Sequence, residues 1–264
     1  MTDFLIDGLP PTDDDLRYLA LVNYGAYTSF RVEDGGVRGL DLHLARIDAS
    51  AIELFGEPVG EDRLRGLIRT AVADRPDAWI RLSLFAPEIV PRSPSAEVRP
   101  KVMTSVSPAP SPLATSVRAQ VRAYVRTEAQ LKHTAIFPLI RARRLARQAG
   151  FDDALFADAE DLISEGATWN IGFLAGDTVT WPEAPMLHGV AKALISSRLA
   201  EVGMTQRTAA VHVSDLDAFD GAFLCNSATP ACPITAIGDK VFGAAPERIE
   251  RLARAWSSNP PQAI

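Results

Sequence analysis

The chain is poor in lysine and in the residues that bind metals or form disulfide bonds. Its 27 lysines and arginines include only four lysines, at positions 101, 132, 192 and 240. Chemistry that needs an amine nucleophile therefore has few candidates. The two cysteines, Cys225 and Cys232, accompany no metal-ligand pattern, so we expect buried free thiols. The four histidines form no spaced pair with another ligand, and we expect no metal site.

Positive charge and long apolar runs are also lacking. The formal net charge is −6, which argues against nucleic acid or an acidic membrane as the main partner. No apolar run is long enough to span a bilayer, and Met1–Leu21 shows no charged-then-apolar targeting signal. We therefore expect a cytoplasmic protein, and a hydrophobic content of 47% is typical of a globular one.

The first part of the chain is expected to form strands covered by two helices. Apolar spacing predicts helices from Asp41 to a stop at Gly56 and over Asp62–Ala73. Four strands are predicted, over Leu19–Tyr24, Tyr27–Val32, Trp79–Phe85 and Val98–Val106.

The run Ser107–Pro112 marks the best domain boundary, because SPAPSP continues neither a helix nor a sheet. The sequence thus predicts an α+β fold with a small N-terminal domain, residues 1–110, and a larger one, residues 111–264. The tail Ser257–Ile264 is expected to fray.

A half-buried strand follows the boundary. Alternate residues from Val117 to Val125 are apolar, and Arg118, Arg122 and Arg126 lie on the opposite face. These arginines could form a functional basic stripe, but an ordinary exposed strand face is the favoured interpretation.

The stretch Leu162–Leu194 is the most informative. Glu165 stands among small residues before an apolar strand, and Gly189 precedes a helix. A helix N-terminus offers unpaired N–H groups and a positive dipole to a phosphate. A buried acid with such a helix suits an anionic cofactor that has a basic ring nitrogen. A plain strand hairpin with a packing helix remains the alternative.

Several motifs, in order, resemble those of the fold type IV pyridoxal-phosphate enzymes, which include class IV aminotransferases and aminodeoxychorismate lyase. Asp41–Arg46 resembles their (E/D)HLxRL signature, and Ser164–Ile171 matches SEGxxxN(I/L). The other matching segments are Leu131–His133, Gly150–Phe156, Leu187–Lys192, Asn226–Thr229 and Cys232–Ile234. The similarity extends from about Gly25 to Asp239.

The resemblance implies a two-domain fold, the larger domain being barrel-like and carrying the catalytic lysine, with pyridoxal 5'-phosphate as cofactor. By this resemblance Lys132 is the amine that binds the cofactor and moves the substrate proton, and Glu165 pairs with the pyridine nitrogen. Arg46 grips the phosphate, and Tyr27 lies beside the substrate, unless it only packs. The remaining cofactor residues that it implies are Asn170, Gly189, Val190, Ala191, Ser227, Ala228 and Thr229.

The implied activity is transfer of an amino group between an amino acid or amine and a keto acid, in a homodimer. Lys132-His133 and Tyr27-Thr28-Ser29 also resemble the lyase branch, which releases pyruvate. Gly189-Val-Ala-Lys192 departs from the family's GITR, and this departure leaves a third alternative, a non-catalytic homologue. We interpret Lys192 itself as a surface lysine.

Overall fold

The computed structural model describes residues 3–73, 75–112, 114–243 and 245–264, which form two compact units. The first unit holds the residues up to Pro110 together with Leu131–Ala135 and Pro261–Ile264. The second unit holds Ser111–Gln130 and Ile136–Pro260. The first stretch of this unit ends at Pro110, and the Lys132 segment and the C-terminus, which the sequence analysis assigned to the larger domain, also belong to it. Met1 and Thr2, at the start of the expected first domain, lie outside the described residues.

The described residues of the first unit form an antiparallel sheet covered by helices. Its strands are β1 (Asp3–Ile6), β2 (Ala26–Glu33), β3 (Gly36–Arg38), β4 (Asp77–Phe85), β5 (Lys101–Ser107) and, from the C-terminus, β15 (Pro261–Ala263). They lie in the order β1-β5-β4-β2-β3-β15. Helices α2 (Leu40–Phe55) and α3 (Glu61–Val72) bury their apolar faces in one core with the inward residues of β2 and β4. Burial of these apolar side chains is the main stabilising contribution in this unit.

The predicted strand Leu19–Tyr24 is wrong, because Asp13–Leu21 forms helix α1. Thr12 caps this helix: its hydroxyl accepts a hydrogen bond from the Asp15 N–H at 3.2 Å, and the Asp15 carboxylate accepts one in return. Such a reciprocal cap and three aspartates in the first turn favour a helix start. Tyr18 is buried on the inner side of the helix.

The expectation of a frayed C-terminus is also wrong. Strand β15 pairs with β3, with Pro261 opposite Arg38 and Ala263 opposite Gly36. The side-chain oxygen of Gln262 accepts a hydrogen bond from the Asp41 N–H at 2.9 Å. These bonds join the end of the chain to the start of α2.

The described residues of the second unit are built on a mixed sheet. Its strands are β6 (Val117–Ala123), β7 (Asp153–Ala157), β8 (Ile163–Gly166), β9 (Asn170–Ala175), β10 (Thr178–Pro182), β11 (Thr205–Ala209), β12 (Gly221–Cys225), β13 (Cys232–Ile237) and β14 (Lys240–Val241). The order is β11-β10-β9-β12-β13-β6-β7-β8, with β14 on β13. The helices are α4 (Phe137–Gln148), α5 (Val190–Arg198) and α6 (Pro246–Ser257).

Strands β9 and β12 run through the centre of this unit and are buried almost throughout. Leu174 and Phe223 pack in one core with α5 and α6, whereas Ile171 and Phe173 belong to a second core with β6 and β13. Layers on both faces explain why these strands are continuously apolar. The predicted α+β class is confirmed. Every helix in the part of the chain that the structure describes is too short or too polar to cross a membrane.

Candidate active site

In the first unit, Arg46 and His43 lie one turn apart on α2 and contact the same strand. The Arg46 guanidinium donates a hydrogen bond from Nη2 to the Thr28 hydroxyl at 2.7 Å. The His43 ring is buried, and its Nδ1 lies 2.7 Å from the same hydroxyl. Thr28 therefore connects the expected phosphate-binding arginine to a histidine that the sequence reasoning left unassigned. The alternation of β2 indicates this position for Thr28, since Thr28 follows Ala26 on the inward side of the strand.

The Lys132 segment runs beside the start of β2. The Tyr27 N–H donates to the Lys132 carbonyl, and the Thr134 N–H donates to the Gly25 carbonyl, each at 2.8 Å. A side chain at Gly25 would place a Cβ 2.1 Å from the Leu84 carbonyl oxygen, so only glycine allows this close approach. The ammonium of Lys132 lies 4.8 Å from the centre of the Tyr27 ring. Lys132 and Tyr27, both expected site residues, are thus in contact.

Arg81, which the sequence reasoning did not single out, contacts the same tyrosine. Its guanidinium carbon lies 3.7 Å from the Tyr27 ring centre, and its Nε donates to the Ser83 hydroxyl at 3.1 Å. In the pairing of β2 with β4, Ser83 is opposite Tyr27 and Arg81 is opposite Ser29. Arg81 is a cation on the strand next to that of Tyr27, but the contact can be recognised only once the pairing register of β2 and β4 is known.

This cluster of cations around a neutral histidine favours an anion. Burial, with the positive charges of Arg46 and Lys132, holds the pKa of His43 well below its usual value of 6.5. The ring is therefore neutral at neutral pH, while the arginines and the lysine supply positive charge. Together they provide an amine nucleophile and fixed cations in one unit.

In the second unit, Glu165 lies on β8 and is only 4% exposed. Its Oε1 is 3.8 Å from Nη1 of Arg126, which is itself 7% exposed. Burial raises the pKa of the nearby Tyr124, the charge of Arg126 lowers it, and that of Glu165 raises it. A carboxylate and a guanidinium are thus held together away from water.

The expectation that Arg126 lies on an exposed strand face is wrong. Strand β6 ends at Ala123, so the alternation does not continue to Arg126, and Val125 is 51% exposed instead. The opposite charge of Glu165 stabilises the buried guanidinium. The sequence around Arg126 does not indicate this buried ion pair, because its partner Glu165 lies far along the chain.

Asn170 shapes the start of α5. Its side-chain N–H donates to the Leu187 carbonyl at 2.9 Å, and a Cβ at Gly189 would lie 2.0 Å from its Oδ1. Gly189 precedes the helix without a side-chain cap, and Val190 and Ala191 form its first turn. The expected helix N-terminus is therefore present, and Asn170 and Gly189 fit each other closely.

The loop containing Ser227, Ala228 and Thr229 is held by Asn226. The N–H groups of Ala228 and Thr229 donate to Asn226 Oδ1 at 3.0 and 2.8 Å. A phosphate at this loop would compete with Asn226 for these two donors. The resemblance does not reveal this internal turn, although Asn-Ser-Ala-Thr is typical of one.

Lys192 is half-buried, so its interpretation as a surface lysine is wrong. Its ammonium lies 3.7 Å from the Met186 sulfur and 5.4 Å from the centre of the Trp181 ring. Burial lowers the pKa of Lys192, and the negative charge of Glu165 partly offsets this.

The cysteine prediction is confirmed, since Cys225 and Cys232 are both free and buried. Burial raises the pKa of Cys225 to about 12 and that of Cys232 to about 11. Both thiols are therefore protonated at neutral pH. Within the described ranges, His, Cys, Asp and Glu side chains form no group of three or more that could hold a metal ion.

Each unit holds side chains whose chemistry suits a part of pyridoxal phosphate, which has an aldehyde, a phosphate and a basic ring nitrogen. In the first unit Lys132 supplies an amine and Arg46 a fixed cation, and in the second unit Glu165 supplies a buried acid. The helix start at Gly189, where a Cβ would collide with Asn170, supplies uncapped N–H groups. The chemistry of the donors thus matches each polar part of the cofactor.

Known proteins share this fold. The chain is 29% identical over 104 residues to a probable branched-chain-amino-acid aminotransferase of Rickettsia felis, over 39% of this chain and 36% of that relative's length. It superposes on the pyridoxal-phosphate-bound form of a hypothetical aminotransferase from Mycobacterium tuberculosis (TM-score 0.79, 20% identity, 97% and 99% coverage). It also superposes on a putative 4-amino-4-deoxychorismate lyase from Legionella pneumophila (TM-score 0.80, 20% identity, 96% and 97% coverage).

The family description amino-transferase class IV matches residues 25–237, which is most of the chain. Class IV aminotransferases use pyridoxal phosphate, so the expected cofactor is confirmed. The resemblance to fold type IV enzymes is confirmed as well. The chain belongs to the class IV aminotransferase family.

Proposed function

We propose that the protein is a pyridoxal-phosphate-dependent aminotransferase that moves an amino group between an amino acid or amine and a keto acid. The observation that carries this proposal is the cluster of Lys132, Arg46 and Tyr27 in the first unit. It combines the scarce amine with a fixed cation and an aromatic ring, beside a histidine kept neutral. The family match supports the same activity.

Each expected residue has a proposed role. When bound, the cofactor supplies an aldehyde and an electron-withdrawing ring that stabilises negative charge on the substrate carbon. Lys132 would hold the cofactor through its amine and would move the proton at that carbon. Glu165 would pair with the ring nitrogen and keep it protonated, and the guanidinium of Arg126 lies 3.8 Å from the same carboxylate. Arg46 would bind the phosphate, as would Val190, Ala191 and Ser227, while Asn170 shapes the turn at Gly189. Ala228 and Thr229 would bind it by exchanging their hydrogen bonds to Asn226 for bonds to the phosphate.

Arg81 favours substrates that carry a carboxylate. Its guanidinium is stacked on Tyr27, the ring that Lys132 also contacts. A planar cation on the ring that Lys132 also contacts suits a carboxylate, which a guanidinium binds with paired hydrogen bonds. We therefore propose amino acids and keto acids, as small molecules, over simple amines. We also propose a cytoplasmic homodimer, supported by the family alone.

A lyase that releases pyruvate is the second candidate. Lys132-His133 and the hydroxyl-rich Tyr27-Thr28-Ser29 favour it, as does the fold shared with the putative lyase from Legionella pneumophila. However, the Thr28 hydroxyl already contacts Arg46 and His43, so it is engaged within the protein. Amino transfer is therefore the better supported activity.

One experiment separates the two. The purified protein, loaded with pyridoxal phosphate, is given a panel of amino donors with and without keto acids, and the visible spectrum and products are followed. Product that needs both substrates supports transfer. Pyruvate formed from aminodeoxychorismate alone supports the lyase, and a spectrum that responds to no donor contradicts both.

A further inference from the structure

Thr28 is a buried polar residue in the middle of an apolar strand face. It lies between Ala26 and Phe30 on the inward side of β2, where both neighbours are fully buried. A buried hydroxyl costs free energy unless it is hydrogen-bonded. Its two contacts, with Arg46 and with His43, are both 2.7 Å long and meet this requirement.

The direction of these hydrogen bonds follows from the donors. Arg46 can only donate, so Thr28 Oγ1 accepts from Nη2, and the Thr28 proton then donates to His43 Nδ1. His43 Nδ1 also lies 3.4 Å from the Arg46 guanidinium, a position that suits an acceptor. Nδ1 is therefore the unprotonated nitrogen, in agreement with the lowered pKa of the buried His43.

We propose that the buried Thr28–His43 pair is a positioning device that holds the Arg46 guanidinium in place for the phosphate of the cofactor. This inference rests on the proposed function, in which Arg46 binds that phosphate. An unrestrained arginine side chain samples many rotamers, and the conformational entropy that it loses when it binds an anion weakens the binding. A guanidinium already held by neutral acceptors, here the Thr28 hydroxyl and the His43 ring, loses less conformational freedom when it binds an anion, and it keeps its full positive charge.

The neutral ring is essential to this device. A protonated His43 would donate from both nitrogens and could not accept from Thr28, and its charge would repel Arg46. Phe30, whose ring centre is 4.9 Å from that of His43, and the inward face of β2 exclude the water that would otherwise stabilise the charged form. The apolar surroundings thus preserve the acceptor.

The test measures binding of pyridoxal phosphate and of inorganic phosphate to the cofactor-free protein by calorimetry. Thr28→Val removes the hydroxyl with little change in shape and should weaken both ligands about tenfold, typical of a hydrogen bond to a charged group. Thr28→Ser keeps the hydroxyl and should restore binding. His43→Phe keeps a ring but no acceptor and should resemble Thr28→Val. The matched control is Thr104→Val, another buried threonine of the same sheet, which should leave binding unchanged.

Pyridoxal, which lacks the phosphate, gives the second readout. Its affinity should not change in Thr28→Val, because the effect acts through the anion. Equal loss for pyridoxal and pyridoxal phosphate, or binding by Thr28→Val equal to that of Thr104→Val, would overturn the inference. If Thr28→Val does not fold, as judged by its thermal melt, His43→Phe and Thr28→Ser test the same contact.

The failure of the proposed function is distinguishable. If Arg46→Ala binds pyridoxal phosphate as tightly as the unmodified protein, Arg46 does not hold the phosphate and both proposals fall. If Arg46→Ala weakens binding but Thr28→Val and His43→Phe do not, only the positioning role is wrong.

Discussion

Replacing Arg126 by methionine should strongly destabilise the second unit. Glu165 would then be a carboxylate only 4% exposed without the guanidinium that lies 3.8 Å away. Removing one partner of a buried ion pair costs about 3–5 kcal/mol, because the remaining charge loses its opposite charge while it stays out of water. This is a large part of the total stability of a typical domain.

A double-mutant cycle isolates the pair. Urea unfolding of the cofactor-free protein gives the free energy of unfolding for Arg126→Met, Glu165→Gln and the double variant. The double variant has no buried charge at either position, so it should be more stable than Arg126→Met alone, with a coupling of about 2 kcal/mol. Arg122→Met, on β6 shortly before Arg126, is the control and should cost less than about 1 kcal/mol.

The reasoning is refuted in either of two ways. Arg126→Met could cost no more than Arg122→Met, which would show that Arg126 and Glu165 do not interact in solution. The two substitutions could also be additive within about 0.5 kcal/mol, which would show that the contact carries no energy of its own.

Three further predictions follow from single contacts. The pKa of His43 is lower in the folded protein than in the unfolded chain. Its contribution to stability is therefore present above about pH 6.5 and is lost as the pH falls below that value. The free energy of unfolding of the unmodified protein should therefore fall relative to His43→Phe by up to about 1.4 kcal/mol per pH unit, and parallel curves would contradict this. Gly189→Ala should cost about 1–3 kcal/mol, because the new methyl would lie 2.0 Å from Asn170 Oδ1, and the double variant with Asn170→Ala should recover part of the loss in a thermal melt. Glu165→Gln should keep cofactor binding but reduce kcat, since the ring nitrogen loses its charged partner, and an unchanged kcat would exclude that role.

Much of the fold could be predicted where local pattern and burial agree. The apolar faces of α2 and α3 and the stop at Gly56, with its φ of 85°, were all predicted from spacing and glycine placement. Strand β15 could not, because Pro261–Ala263 is ordered only by pairing with β3, more than two hundred positions earlier. A short segment with no apolar period gives no local signal for such pairing.

The site shows the same division. Motif order identifies Lys132, Arg46 and Glu165, but a motif does not say what supports them. Thr28 contacts Arg46 because alternate residues of β2 face inward, and His43 contacts it because residues three apart lie on one side of α2. The sequence contains both spacings, but it does not show that this face of the strand meets this side of the helix. Arg126 was misassigned because the alternation was continued past the end of β6.

The most direct test of the central claim is to find the amine that binds the cofactor. The protein loaded with pyridoxal phosphate is reduced with borohydride, digested and analysed by mass spectrometry. The account predicts a pyridoxyl group on Lys132 and on none of the other three lysines, and no labelling in Lys132→Ala. A pyridoxyl group on Lys192, or covalent labelling that persists in Lys132→Ala, would contradict it.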